Sequence, residues 1–360
     1  MRAGAAAKLR RVFRVLGGVY GVALFFALAM ACADLRPAAG DGAAPTFAPM
    51  LTPSPSPTAL TTPLPPPISR PEDARGIQQT SPPLASPSPF VTPQPPPSLW
   101  LSTAASFTVP CTRHRNRIFV PVVINGNPQT FLLDSAAAFS SIDPSAAPSR
   151  VVPIKLATVQ IGALRFNRLT AGVMRISTSS RAALGEAADG IFGQELFSRY
   201  PVLIDYSGCS VTVYRDGPSA RAALASNSRS IPLHMVRGLP TVDATFDGTA
   251  QTQLLLDTAS DGDVDVTREF AAASPVMFTA TSSMVRRWLP SGALSGEDAR
   301  VRSLALGPVV FDRPSVAILP VSVPPGAGIA GHLGNGLLQR HTLLVDEPDS
   351  TAAFGADPVP

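Results

Sequence analysis

From about Phe107 onward, short apolar runs alternate with turn residues along the chain. Arg117–Ile124 reads as a strand, Asn125-Gly126-Asn127-Pro128 as a hairpin turn, and residues 129–133 as the strand that returns. Leu239–Phe246, the turn Asp247-Gly248 and residues 253–256 repeat that layout. Further strands read at 159–162, 169–174, 202–206 and 211–214, with a short helix starting at 195–198. Strands this short, separated by turn signals and without intervening long helical patterns, predict an all-β body and not a βαβ sheet.

The patterns also come in pairs. Phe131-Leu132-Leu133-Asp134-Ser135-Ala136-Ala137 is matched by Leu254-Leu255-Leu256-Asp257-Thr258-Ala259-Ser260. Thr158-Val159-Gln160-Ile161-Gly162 with Phe166 is matched by Ser303-Leu304-Ala305-Leu306-Gly307 with Phe311. Gly190-Ile191-Phe192-Gly193 is matched by Gly331-His332-Leu333-Gly334, and Val202-Leu203-Ile204-Asp205 by Leu343-Leu344-Val345-Asp346. The same patterns in the same order, twice, imply a duplicated half. One Asp per copy allows two carboxylates to meet at a pseudo-two-fold axis.

This arrangement resembles the retropepsin-like branch of the aspartic proteases, in particular its bacterial two-lobed members. The resemblance spans residues 107–355. It implies two pseudo-symmetric β-barrel lobes with a cleft between them, at 104–215 and 231–357, joined by 216–230. It implies an endopeptidase whose catalytic pair is Asp134 and Asp257, with the Ser135 and Thr258 hydroxyls donated across the axis. Gly190, Gly193, Gly331 and Gly334 belong to the segments that cross behind the two acidic loops. Residues 144–157 and 274–300 fall where the family carries a flap; Arg286, Arg287 and Trp288 in the second read as a solvated loop with one buried indole.

The chain departs from the family at one repeated position. Where the family has Gly after the hydroxyl residue, Ala136 and Ala259 stand here. A positive φ at either would strain the loop, whereas ordinary β-region dihedrals would tolerate the methyl. A catalytically inactive peptide-binding or surface-interaction module is therefore the alternative to an active enzyme. The family topology also brings the start and end of the first lobe together, so a Cys111–Cys209 disulfide is expected there, with two buried thiols as the alternative.

Two neighbouring carboxylates cannot both ionise, so they share a proton and titrate as a unit. One member then activates water while the other polarises the carbonyl, and no metal or organic cofactor is required. A pseudo-symmetric monomer completes its own cleft, so the expected partner is a peptide or protein substrate.

Composition changes the picture mainly at the N-terminus. Arg2, Lys8, Arg10, Arg11 and Arg14 precede an apolar stretch over 15–30, and Ala29-Met30-Ala31 sits before Cys32. Residues 1–34 thus read as an export segment. A cleaved signal, a lipoprotein site with Cys32 as the acylated residue, and an uncleaved membrane anchor all fit, and each exports the body. Residues 35–103 hold most of the 39 prolines and read as a disordered spacer between membrane and body. The net charge of +4 includes that basic leader, and no basic block with interleaved aromatics remains to suggest nucleic-acid binding.

Other chemistries lack their motifs. Asp261, Asp263, Asp265, Thr267 and Glu269 alternate like the start of a calcium loop, but Val266 and Ala272 stand where Gly and Glu belong, so the segment reads as a polar strand edge. His114, His234, His332 and His341 show no metal-ligand spacing, and there is no nucleophile elbow. His332 replaces the first copy's Ile191 and reads as a satisfied core histidine.

Overall fold

Two tight hairpins set the frame. Arg117–Ile124 pairs antiparallel with Asn127–Leu133, and Leu239–Phe246 pairs with Ala250–Leu256. Asn125 and Gly126 both take positive φ (50° and 87°), as do Asp247 and Gly248 (48° and 71°). Asn, Asp and Gly are the residues that tolerate this region, and its twist matches that of the flanking strands. In each hairpin the second strand grows more buried toward its end, so the chain is deep inside when it reaches Asp134 or Asp257.

The computed structural model describes residues 97–355 apart from 149–152, 185–187, 276, 291, 325 and 327. Residues 1–34, read as an export segment, with Cys32, and most of the proline-rich stretch lie outside the described residues. No helix among the described residues is long and apolar enough to cross a membrane. The described chain is mainly β and forms one compact unit.

The two halves repeat one strand order. In the first, Asn127–Leu133 lies parallel to Gly190–Phe192, which lies antiparallel to Ser141–Ile142, itself parallel to Leu164–Val173. In the second, Ala250–Leu256 lies parallel to Ile329–Leu333, then come Val264–Thr267 and Ser315–Leu319 with the same senses. A third, six-stranded sheet joins the halves. Its central pair is Val202–Asp205 against Leu343–Asp346, with Leu203 opposite Leu344. The repeated Val-Leu-Ile-Asp and Leu-Leu-Val-Asp patterns thus pair with each other. The apolar core is continuous through both halves, from Val120, Leu133 and Phe192 to Val242, Leu256 and Leu333.

Three expectations need correcting. The ordered body begins inside the 35–103 stretch read as linker, because Ser98–Trp100 pairs with Leu164–Val173. Trp100 supplies the reason: its ring packs edge-on against Phe107 (5.2 Å) and Tyr200 (5.8 Å), under the Arg215 guanidinium. Residues 216–230, which these corrections do not touch, hold a short helix, Gly217–Ala222, capped by the Asp216 side chain, and run into the strand Arg229–Pro232. Val264–Thr267 is not a strand edge but an interior strand between Ser315–Leu319 and Ile329–Leu333, with Asp265 buried. Arg286, Arg287 and Trp288 are not in a loop either. They belong to the long hairpin Thr279–Leu289 and Gly292–Arg300, whose tip meets the first half where Ser177 N–H donates to Pro290 O (3.0 Å).

Cys111 and Cys209 are disulfide-bonded across a separation of 98 residues. The bond joins the chain just after Ser106–Pro110 to the turn just before Ser210–Tyr214, two strands paired in the joining sheet. By loop-closure entropy, a link of this span stabilises by about 4–5 kcal/mol.

Candidate active site

The site is built by two loops that hold each other. Ser135 N–H donates to Thr258 Oγ1 (3.0 Å), and Thr258 N–H donates to Ser135 Oγ (3.2 Å). The hydroxyls then continue across the axis: Ser135 Oγ–H to Leu256 O (2.5 Å) and Thr258 Oγ1–H to Leu133 O (2.9 Å). Both side chains are fully buried, so each hydroxyl uses donor and acceptor capacity on backbone groups that would otherwise go unpaired. The residues just before and just after each Asp are thus locked to the opposite loop.

Each loop is held from behind in the same way. Asp134 N–H donates to Phe192 O (3.1 Å) and Asp257 N–H to Leu333 O (3.0 Å). Gln194 Nε2–H donates to Ser135 O (2.7 Å) and Asn335 Nδ2–H to Thr258 O (2.5 Å). These amides are tied across the axis in turn: Gln194 Nε2–H donates to Glu347 Oε1 (2.9 Å), and Tyr206 O–H donates to Asn335 Oδ1 (2.6 Å). The crossing-segment glycines have no room for a side chain. A Cβ at Gly190 would run into Ser141 O, at Gly193 into Ala137 O, at Gly331 into Asp265 O and at Gly334 into Gly262 O.

Neither Ala136 nor Ala259 is among the residues of positive φ. Their N–H groups donate to the carboxylates two residues back, Ala136 to Asp134 Oδ1 (2.9 Å) and Ala259 to Asp257 Oδ1 (2.8 Å). The methyl groups therefore bring no left-handed strain to either loop.

The two carboxyl groups differ in their surroundings. Asp257 Oδ1 accepts a second N–H from Ser260 (3.0 Å), and Oδ2 meets His332 Nδ1 at 2.7 Å. Burial alone would raise Asp257, but the His332 hydrogen bond and charge outweigh it and hold the acid below its usual range. Burial raises Asp134, and the charge of Asp257 raises it further. For His332, burial acts downward, but the bond to Asp257 and its charge push the imidazole up to about 9. The reading of His332 as a core histidine is therefore corrected. Leu255 lies opposite His332 in the parallel register, one residue before the chain leaves the strand for Asp257. That register, set only when the two distant strands pair, is what brings the ring to the acid.

Sequence reasoning also missed Arg117 and Asp261. Arg117 belongs to the first half yet is buried against the second. It donates from Nε to Ala259 O (2.6 Å), from Nη1 to Asp261 Oδ2 (2.8 Å) and from Nη2 to Trp288 O (2.6 Å). Arg287 Nε donates to Asp265 Oδ1 (2.9 Å), whose other oxygen accepts from Ser260 Oγ (2.9 Å). Among the described residues no cluster of three or more His, Cys, Asp or Glu is placed to hold a metal ion.

No family model matches the chain, and no curated protein matches it. Among solved structures, it is similar to the crystal structure of the aspartic proteinase from Irpex lacteus, with a TM-score of 0.45 and 11% identity. That match covers 70% of this chain and 98% of the other.

Proposed function

We propose that the chain is an aspartic-type endopeptidase with its cleft between two lobes, one from each copy of the repeat, in the manner of the retropepsin-like family. One observation carries this reading. The Ser135–Thr258 exchange fixes two acidic loops back to back, with Asp134 feeling the charge of Asp257. A carboxyl group raised by burial and by its partner's charge, beside another held low, offers the two protonation states that water-mediated amide hydrolysis requires.

In this reading a water between the carboxyl groups attacks the peptide carbonyl carbon. The ionised carboxylate takes the water proton, and the protonated one gives its proton to the carbonyl oxygen, forming a neutral tetrahedral diol. The first acid then protonates the leaving nitrogen as the C–N bond breaks. The second recovers a proton from one diol hydroxyl, so both groups return to their starting states.

The test is hydrolysis of a peptide library by the full chain between pH 4 and 8, read by mass spectrometry. Asp134→Asn and Asp257→Asn are each expected to lower the rate by roughly 10²–10⁴-fold. Undiminished cleavage by both variants, or no cleavage by the wild-type chain at any pH, would overturn the reading. The alternative is an inactive peptide-binding module, in which Ala136 and Ala259 stand where the family has glycine. Peptide binding without turnover supports it.

The body is proposed to work outside the cytoplasm, tethered through Cys32 or through the apolar stretch at 15–30. The Cys111–Cys209 bond supports an oxidising compartment. The mass of the mature N-terminus distinguishes an acylated Cys32, a cleaved leader and an intact anchor.

A further inference from the structure

We propose that His332 is a positioning residue that breaks the symmetry of the acidic pair: bonded to Asp257, it holds that carboxylate ionised and leaves the shared proton on Asp134. The catalytic consequence rests on the peptidase reading above; the placement of the proton stands apart from it.

Both ring nitrogens of His332 face acceptors. Nδ1 lies 2.7 Å from Asp257 Oδ2, and Nε2 lies 3.0 Å from Ser322 O. A backbone carbonyl cannot donate, so Nε2 carries a hydrogen. Nδ1 then shares a proton with a carboxylate whose other oxygen already accepts N–H groups from Ala259 and Ser260. Donors on both oxygens favour the anion, and with it the imidazolium.

The neighbouring charges point the same way. The groups that face His332 are Asp257, Asp265 across the strand pair, Ser322 O and, across the axis, Asp134. Asp265 is paired with Arg287 at 2.9 Å, and Asp261 is paired with Arg117 at 2.8 Å. Tyr206, which feels the charge of Asp257, is neutral and donates to Asn335. Asp257, Asp261 and Asp265 thus each lie beside a basic side chain of their own, and among the described residues Asp134 has none in hydrogen-bond contact. An uncompensated carboxylate in such a place is costly, so Asp134 is the one that keeps a proton. In the first half Ile191 stands where His332 stands in the second, and it can neither pair with nor discharge Asp134.

The geometry also leaves Asp257 able to act. Its Oδ1 lone pairs are taken by two N–H groups, but Oδ2 receives one hydrogen bond from His332 and retains a lone pair for a water proton. Asp257 is assigned as the base and Asp134 as the acid that protonates the carbonyl oxygen. His332 touches neither substrate nor water in this scheme and acts through Asp257.

Two measurements on the full chain test this. The first is the ¹⁵N spectrum of the His332 ring, assigned by its loss in His332→Gln. Two protonated nitrogens persisting to pH 8 are expected; a neutral ring at pH 7 would overturn the proposal, whatever the activity. The second is the pH profile of kcat/KM in the wild type, His332→Gln and His332→Ile. Loss of the cation is expected to move the acid limb upward by about 1–2 pH units, the size of one charge-assisted hydrogen bond, and further for Ile than for Gln. Active variants with an unmoved acid limb would overturn the proposal. A doubly protonated ring without hydrolysis at any pH would support the proton placement and overturn the peptidase reading instead.

Discussion

The two acidic loops share a backbone plan and differ in how their charges are met. Around Asp134 the crossing strand offers Ile191, and the loop offers Ala136 N–H. Around Asp257 it offers His332, with Arg117 and Arg287 behind through Asp261 and Asp265. The hydroxyl exchange and the amides that hold each loop from behind are alike in both copies. Duplication therefore preserved what fixes the distance between the loops, while the groups that set protonation diverged. The difference teaches that a pseudo-symmetric backbone does not imply interchangeable acids.

The sharpest way to break the comparison is at Arg117. It opens the first strand of its hairpin, and its counterpart in the second copy is Leu239. Arg117→Ala would leave the half-buried Asp261 without its nearest cation and free Ala259 O and Trp288 O. A loss of about 3–5 kcal/mol in denaturant unfolding is expected, the range for breaking one side of a buried ion pair. A loss below about 1 kcal/mol, the range of surface pairs, would mean the cluster does not tie the halves together.

A smaller effect is expected at Glu347, whose counterpart beneath the other loop is Tyr206. Burial pushes Glu347 up to about 7, against a weaker lowering from Gln194, and its Oε2 has no hydrogen-bond partner among the described residues. Between about pH 4.5 and 7 the native protein keeps this proton while the unfolded chain releases it, so native stability falls as pH rises through that window. The loss is on the order of 3 kcal/mol. Glu347→Gln is expected to remove it, so the stability difference between wild type and variant should change across pH 4.5–7. Parallel curves would show that Glu347 is not held neutral.

Much of this fold was legible because duplication writes the same pattern twice. The turns Asn125-Gly126 and Asp247-Gly248, the paired crossing glycines and the repeated strand patterns each constrain local backbone, and local constraints are visible in sequence. The partners of Arg117 were not. They lie 142 to 171 residues away, and only the closure of the two halves brings them together. His332 was misread for a related reason. Its register against Leu255 decides what it meets, and a parallel pairing between distant strands carries no short-range sequence mark. Trp100 was hidden by composition: the proline run just before it masks the three-residue strand that packs its half-buried ring.

Most direct of all is a ¹³C-carboxyl titration of the aspartates in the wild type and in Asp257→Asn. With the two acids at one axis, Asp134 should titrate well above the ordinary carboxylate range and fall when the charge at 257 is removed, while Asp257 should titrate below that range. If Asp134 titrates near 4 and ignores the substitution, the two carboxyl groups do not share a site.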